Sequence, residues 1–359
     1  MVHFTCKCGN ALFFENSVCL QCGQQVGYDV RSNRMVPLSE ASGLVRCGNG
    51  KEHGVCNWVV QDGDNQTLCE SCQLNRTIPD LSIPANLGAW QRMESAKRRV
   101  LYTLHRLGLR PVSKHDDPSG VAFNILSPTA SQNVMTGHLD GVITLNLLEA
   151  NDSFRESVRA TFGEPYRTLV GHIQHELGHY YWDRFFRGRP VEDPLLVTFR
   201  ELFGDECSDY QTALLAYHTQ GPPTTWSETH ITSYAASHPW EDWAETWAQY
   251  LHILDGIETA EHFGWTSDRV PIPFTPFPKA EVTIPHAEND PAFVETVNRW
   301  AKIAPALNEI AASLGHPNLY PFVLSPCSVR KIHFVHFAIG KAKTPAKTAA
   351  KPPSPALAA

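Results

Sequence analysis

Apolar residues recur at helical spacing along several long stretches of the chain. From Pro84 to Leu109 they fall at Leu87, Trp90, Val100, Leu101, Leu104 and Leu107, ahead of Gly108 and Pro111, and predict a helix. Runs rich in β-formers at 121–126 and 141–147 predict strands. Further helices are predicted from Pro165 to near Gly188, from Thr198 to Tyr217, from Pro239 to about Leu254 ahead of Gly256, and from Pro291 to Leu314. Proline opens several of them, and its missing N–H and fixed φ suit a first helical turn. Strands followed by helices make the expected class α+β.

The first 80 residues are patterned differently, with short apolar pieces and many turn formers. Eight of the ten cysteines lie there, between positions 6 and 72, and only Cys207 and Cys327 come later. Three regions follow: a Cys-rich region over 1–80, a large domain over 81–338, and a Lys/Pro/Ala-rich tail over 339–359. From Lys341 onward the tail carries four lysines, no acid and no aromatic residue. Such a segment buries too little apolar surface to offset chain entropy, so disorder is expected.

Composition adds exclusions. With 359 residues, 42% hydrophobic and 19% charged, the chain has the make-up of an ordinary globular protein, long enough for a large domain with an appendage. No apolar run reaches the roughly 18 residues of a membrane span. Met1 to Cys6 lack the basic-then-apolar pattern of a signal peptide, so the expected location is cytoplasmic. A formal net charge of −7 gives no general attraction for nucleic acid or an anionic membrane.

In the cytoplasm thiols stay reduced, so clustered cysteines are read as metal ligands rather than disulfides. Cys6, Cys8, Cys19 and Cys22 form one set, and Cys47, Cys56, Cys69 and Cys72 a second. Each is expected to hold a structural zinc, because four thiolates leave no open coordination position. Free or redox-active thiols fit poorly with eight residues falling into two sets of four. Zinc ribbons often bind nucleic acid, but residues 1–80 carry six Lys or Arg against eight Asp or Glu, with no basic stripe. A protein partner, or the stapling of a unit too small for its own core, is the expected role.

The chemistry centres on His175-Glu176-Leu177-Gly178-His179. Two histidines four apart share a helix face and can reach one metal, and Glu176 can take a proton from water and return it to a leaving amine. With 17 histidines, this spacing can also arise by chance. Context argues otherwise: His172, His175, Glu176, His179 and Asp183 gather opposite an apolar stripe of Leu169, Ile173 and Leu177. Burying that polar face without a metal would strand several polar groups.

A catalytic zinc takes three protein ligands. Glu241 and Glu245 share a helical face, so one can bind metal while the other braces an imidazole. Glu241 and Asp242 can equally be ordinary acids at a helix N-terminus. Asp205, Glu206 and Asp209 are rivals on the helix expected between the two motifs, more naturally polar-face residues or partners bracing a ligand from behind. His238 falls just outside its helix, at the cap. Asp183 can brace a ligand or pair with Arg184 or Arg187, and bracing is the preferred reading.

These residues resemble the gluzincin metallopeptidases, in which a glutamate on a later helix is the third zinc ligand. Within that group, Glu241-Asp-Trp-Ala-Glu245, with Tyr234 seven residues earlier, is most similar to the catalytic domain of anthrax lethal factor. The resemblance implies zinc on His175, His179 and Glu241, with Glu245 behind a ligand and Tyr234 as donor to the developing oxyanion. Glu245 departs from the thermolysin branch, which has aspartate there.

The chain up to its tail also resembles a bacterial family of zinc-binding metallopeptidases with an N-terminal zinc ribbon, whose activity is assigned by motif. The segments that carry this are Thr136 to Leu145, Glu164 to Leu169, His175 to Asp183 and Tyr234 to Tyr250, with the cysteine sets. A zincin-like domain, one catalytic zinc and two structural zincs are implied. The expected activity is hydrolysis of peptide bonds in a peptide or protein substrate. The strand at Gly141–Leu147 is either the edge to which an extended substrate adds or a buried core strand. A catalytically silent adaptor that grips a peptide or protein partner is the competing reading, and the presence of Glu176 argues against it.

Overall fold

Residues 4–61 form three antiparallel two-stranded ribbons: Phe4–Thr5 with Ala11–Leu12, Val26–Asp29 with Arg34–Pro37, and Leu44–Arg46 with Val59–Gln61. The computed structural model describes residues 2–343 apart from 39–42, 64–65, 130–132, 163, 165 and 288. The ribbons are too thin to enclose a core, so their large side chains turn toward the helix Pro84–Arg106. Phe14 and Tyr28 set their rings 5.2 and 6.0 Å from Tyr102, and Trp58 lies 5.9 Å from His105. Arg98, buried on the same helix, donates to Val55 O at 2.6 Å and to Glu15 at 3.0 Å, so its charge enters the interface already partnered.

The four-stranded sheet ties the two regions together more tightly than a boundary at residue 80 implies. Its order is Asn75–Thr77, Ala122–Leu126, Val142–Asn146, Gly137–Leu139. The first strand belongs to the Cys-rich segment, yet it pairs in parallel with Ala122–Leu126. Fully buried Lys97, ion-paired with Glu94 at 3.0 Å, also hydrogen-bonds Asn75 and fixes that strand to the helix behind it.

The strand expected at 141–147 forms as Val142–Asn146, but it is not an edge. Ala122–Leu126 pairs with it on one side and Gly137–Leu139 on the other. Asp140 and Gly141, at φ 45° and 73°, make the tight two-residue turn that folds the chain back and puts an extra strand outside it. Gly137–Leu139 is the edge, and no strand pairs with its outer side among the described residues.

The helices depart from their predicted bounds where tertiary contacts override local signals. The motif helix is Leu169–Phe186, capped by Thr168, whose hydroxyl accepts from Gly171 N. Its predicted start at Pro165 lies outside the described residues. The helix predicted over 198–217 is two, Pro194–Phe203 and Tyr210–Gln220, because Gly204 at φ 102° leaves the helical region and Asp209 caps a fresh start. Asp205, Glu206 and Asp209 therefore sit on the connection, not on a helix face. The helix from Pro239 runs through Gly256 to His262. There Gly256 serves packing: a Cβ would fall 2.4 Å from the Trp300 ring.

Two helices had no clear signal, Asp152–Phe162 and Pro326–Lys343. The second runs on past residue 338, after which the tail was expected to begin, with Ile339 buried in the core. Residues 344–359 lie outside those described. The motif helix packs along Pro239–His262 and also contacts Pro84–Arg106, and Pro326–Lys343 packs on the glutamate-bearing helix. Tyr181, Phe186, Phe199, Phe203, Trp243, Trp247 and Phe334 fill the space between them. No helix among the described residues is long and apolar enough to cross a membrane.

Candidate metal centre

His175 and His179 project from one face of the motif helix, and Glu241 from the first turn of the helix packed against it. That packing is close because position 178 is glycine: a Cβ there would lie 3.0 Å from Ala244 Cα and 3.2 Å from the Trp247 side chain. Trp243 Nε1 donates to Gly178 O at 2.9 Å and locks the two helices at this level. The result is a triangle of donor atoms. His175 Nε2 lies 3.1 Å from His179 Nε2 and 3.1 Å from Glu241 Oε2, and His179 Nε2 lies 3.4 Å from the same oxygen. Tetrahedral zinc with bonds of about 2.0–2.1 Å needs such atoms about 3.3 Å apart. All three residues are buried, and Glu241 Oε2 accepts no hydrogen bond. A buried carboxylate oxygen without a hydrogen donor, between two imidazole nitrogens, fits a cation.

The surrounding groups hold these donors in place. Glu245 Oε1 lies 2.7 Å from His175 Nδ1, so Nδ1 carries the hydrogen and Nε2 keeps its lone pair for the triangle. Thr232 donates to the other Glu245 oxygen at 2.9 Å. His179 lies against Trp240 with ring centroids 3.8 Å apart and planes tilted by 39°. Glu176 is 4% exposed, and its Oε1 lies 3.4 Å from His172 Nε2. Burial pushes its carboxyl up, but the His172 hydrogen bond and the neighbouring imidazoles outweigh that and hold it below the usual carboxylate value. Tyr234 stands with its ring centroid 6.2 Å from that of His175, and burial beside the Glu241 charge keeps its phenol protonated.

The cysteines assemble as two four-sulfur clusters, and none is in a disulfide. Cys6 and Cys22 lie 3.7 Å apart, Cys8 and Cys19 3.6 Å, and Cys56 and Cys69 3.6 Å. Zinc–sulfur bonds of about 2.3 Å in a tetrahedron put sulfurs about 3.8 Å apart, so both clusters match a tetrathiolate cage. In the second cluster all four cysteines are buried, and Cys69 N donates to Cys47 Sγ at 3.3 Å.

Residues 86–338 match the family described as "Putative zinc-binding metallo-peptidase", and residues 3–83 match a zinc-ribbon domain. The chain belongs to this zinc-binding metallopeptidase family. Uncharacterised proteins of Mycobacterium bovis and Mycobacterium tuberculosis are 39% identical to it over 342 residues, covering 94% of this chain and 95% of theirs. No solved structure gives a significant match.

The other candidates from the sequence are placed elsewhere. Asp183, expected to brace a ligand, pairs instead with Arg187 at 2.8 Å, one turn along the same helix. Asp205 accepts from Cys207 N, Glu206 is ion-paired with Arg200 of the preceding helix, and Asp209 caps Thr212, so each is engaged close by in the chain. His238 is the helix cap, accepting from Trp240 N through Nδ1 and donating through Nε2 to Ser208 O, which leaves no ring nitrogen for a metal.

Three residues around the site had no reading from the sequence. Tyr210 donates to Glu241 Oε1 at 2.6 Å, and its hydroxyl lies within hydrogen-bonding reach of Tyr234. His138, on the edge strand, stacks 6.2 Å from His179 and accepts from Gly141 N at 2.9 Å through Nε2. Burial and then the His179 charge push it down to about 4, so it stays neutral. Glu149, from the short 3-10 turn Leu147–Ala150, lies 2.6 Å from His172 Nδ1. The segment Thr136 to Leu145 is a motif in the sequence, and the folded chain shows that it brings the edge strand to the metal site.

Proposed function

We propose that the chain is a zinc metallopeptidase of the gluzincin type, with His175, His179 and Glu241 as the catalytic zinc ligands and a structural zinc in each cysteine cluster. The observation that carries this is the triangle of Nε2, Nε2 and Oε2 at 3.1–3.4 Å with a buried carboxylate, Glu176, on the same helical turn. Zinc held there supplies a Lewis acid that acidifies water and polarises a scissile carbonyl. Glu176 takes a proton from the attacking water and later delivers it to the leaving amine. Tyr234, kept protonated, donates to the oxyanion that develops on the carbonyl oxygen. Glu245 and Tyr210 hold His175 and Glu241 in orientation. The outer side of Gly137–Leu139 takes the extended substrate as an added strand, with its main chain beside the metal site.

The deciding experiment is metal analysis and peptide cleavage of the full chain beside Glu176→Gln. Three zincs per chain and cleavage lost in the variant are expected. Two zincs, or cleavage indifferent to the substitution, sinks the reading, and an intact three-zinc protein that binds peptides without cleaving them leaves a silent adaptor instead.

A further inference from the structure

We propose that His172, anchored by Glu149, is a positioning residue for Glu176, its single imidazole fixing the carboxylate that moves the proton. The inference rests on the peptidase reading above and adds to it two residues that no ligand motif contains. His172 lies one helical turn before Glu176, with Nε2 3.4 Å from Glu176 Oε1 and Nδ1 2.6 Å from Glu149 Oε2. An ionised carboxylate only accepts hydrogen bonds, so an imidazole between two of them donates from both nitrogens.

Glu149 is well enough held to serve as the anchor. Its side chain is 6% exposed, Thr136 Oγ1 donates to Oε1 at 2.7 Å, and Arg167 stands 3.4 Å away, itself bonded to Glu164 at 3.1 Å. Thr136 directly precedes the edge strand and accepts from Asn146 N at 3.0 Å. A continuous line of polar contacts thus runs from the edge strand through Glu149 and His172 to Glu176.

Glu176 depends on this line. Among the described residues, His172 is the one side chain within ion-pairing distance of its carboxylate, and Oε2 has no partner. Without His172 the carboxylate can leave this rotamer, and a misplaced proton acceptor loses rate through lost proximity rather than lost binding.

Side-chain length supplies the test. A glutamine amide reaches about where Nε2 stands, whereas an asparagine amide reaches only the Nδ1 position. With zinc-loaded full-length chain and a fluorogenic peptide library, H172N is expected to lower kcat about 10–100-fold at unchanged KM and zinc content. H172Q restores the donor to Glu176 but not the one to Glu149, so it should recover much but not all of the loss, and E149Q should fall in the same direction as H172N by a smaller factor. An H172N variant equal to wild type, or an H172Q variant as impaired as H172N, overturns the proposal and leaves the peptidase reading standing. Zinc lost from H172N also overturns it, because the imidazole would then be holding the metal site together. Should H172N fail to fold in a thermal melt, E149Q carries the test, and an unchanged kcat there is fatal. If wild type cleaves no better than E176Q, the peptidase reading itself fails. Crystals of zinc-loaded wild type and H172Q then decide the positioning role: the Glu176 carboxylate stays beside position 172 in both, and a carboxylate found elsewhere in wild type overturns it.

Discussion

Tyr210 Oη donates to Glu241 Oε1 across 2.6 Å, which leaves Oε2 alone to face the two imidazoles. One oxygen is held by a phenol, so the other is presented in a fixed direction. Removing that hydroxyl should loosen the carboxylate without disturbing the fold. Tyr210→Phe is expected to weaken zinc binding at this centre about 10-fold, read by competition with a chelator, while both cysteine clusters keep their metal. Equal chelator sensitivity in variant and wild type would rule out this role.

The close contact at Gly178 gives a second expectation. Gly178→Val forces its side chain into Ala244 Cα and Trp247, where backbone cannot yield cheaply. Urea unfolding should show a loss of about 1–3 kcal/mol, and zinc content should fall with it because Glu241 rides on the displaced helix. A variant that keeps stability and metal would show that the helices have room to part.

A third concerns the ion pair behind the site. Lys331 Nζ lies 2.5 Å from Asp242 Oδ2 and donates to Thr229 O at 2.8 Å, with both side chains almost fully buried. Burial pushes the Asp242 carboxyl up and Lys331 draws it part of the way back, which leaves it at about 7. Lys331→Met leaves the carboxylate unpaired and should cost about 3–5 kcal/mol by chemical denaturation. Adding Asp242→Asn should recover much of that loss. A double variant no better than the single would show that charge is not what the pair contributes.

The fourth is a pH dependence. His105, in the last turn of the helix Pro84–Arg106, packs against Trp58 of the Cys-rich segment, and burial, then the Arg110 charge, pushes it down to about 4. The unfolded chain takes up that proton near pH 6.5, before the folded one does. This stabilisation is therefore fully present above about 6.5 and is lost as pH falls toward 4, to a limit of about 3 kcal/mol. Comparing the denaturation midpoints of wild type and His105→Phe at pH 7.5 and 4.5 isolates it. A gap between the two proteins that does not change with pH would remove His105 as its source.

Much of the site was legible because its chemistry is written in short spacings. His175 and His179 four apart, Glu241 and Glu245 four apart, and paired cysteines each encode a local geometry that a helix or tight turn reproduces. Tyr210 was hidden because it reaches Glu241 from 31 positions earlier in the chain, and no periodicity marks it. Glu149 and His138 were hidden for the same reason, arriving from a turn and a strand. In the fold, the expected helices run through Gly204 and stop before Gly256, and the structure reverses both. One ends a helix through its backbone angle, and the other only makes room for Trp300. Sheet order was also illegible: the Asp140-Gly141 turn could be read locally, but not which strand it would leave outermost.

The strand Asn75–Thr77 begins three residues after Cys72, so the cysteine-rich segment ends as part of the sheet beside which the proposed site is built. A chain trimmed at residue 81 would expose the flank of Ala122–Leu126 and strip Tyr102 of its aromatic cover. The N-terminal segment is therefore not a portable tag. It cannot be exchanged for another ribbon or grafted elsewhere intact, and any change to it should be felt as a change in the folding of the whole chain.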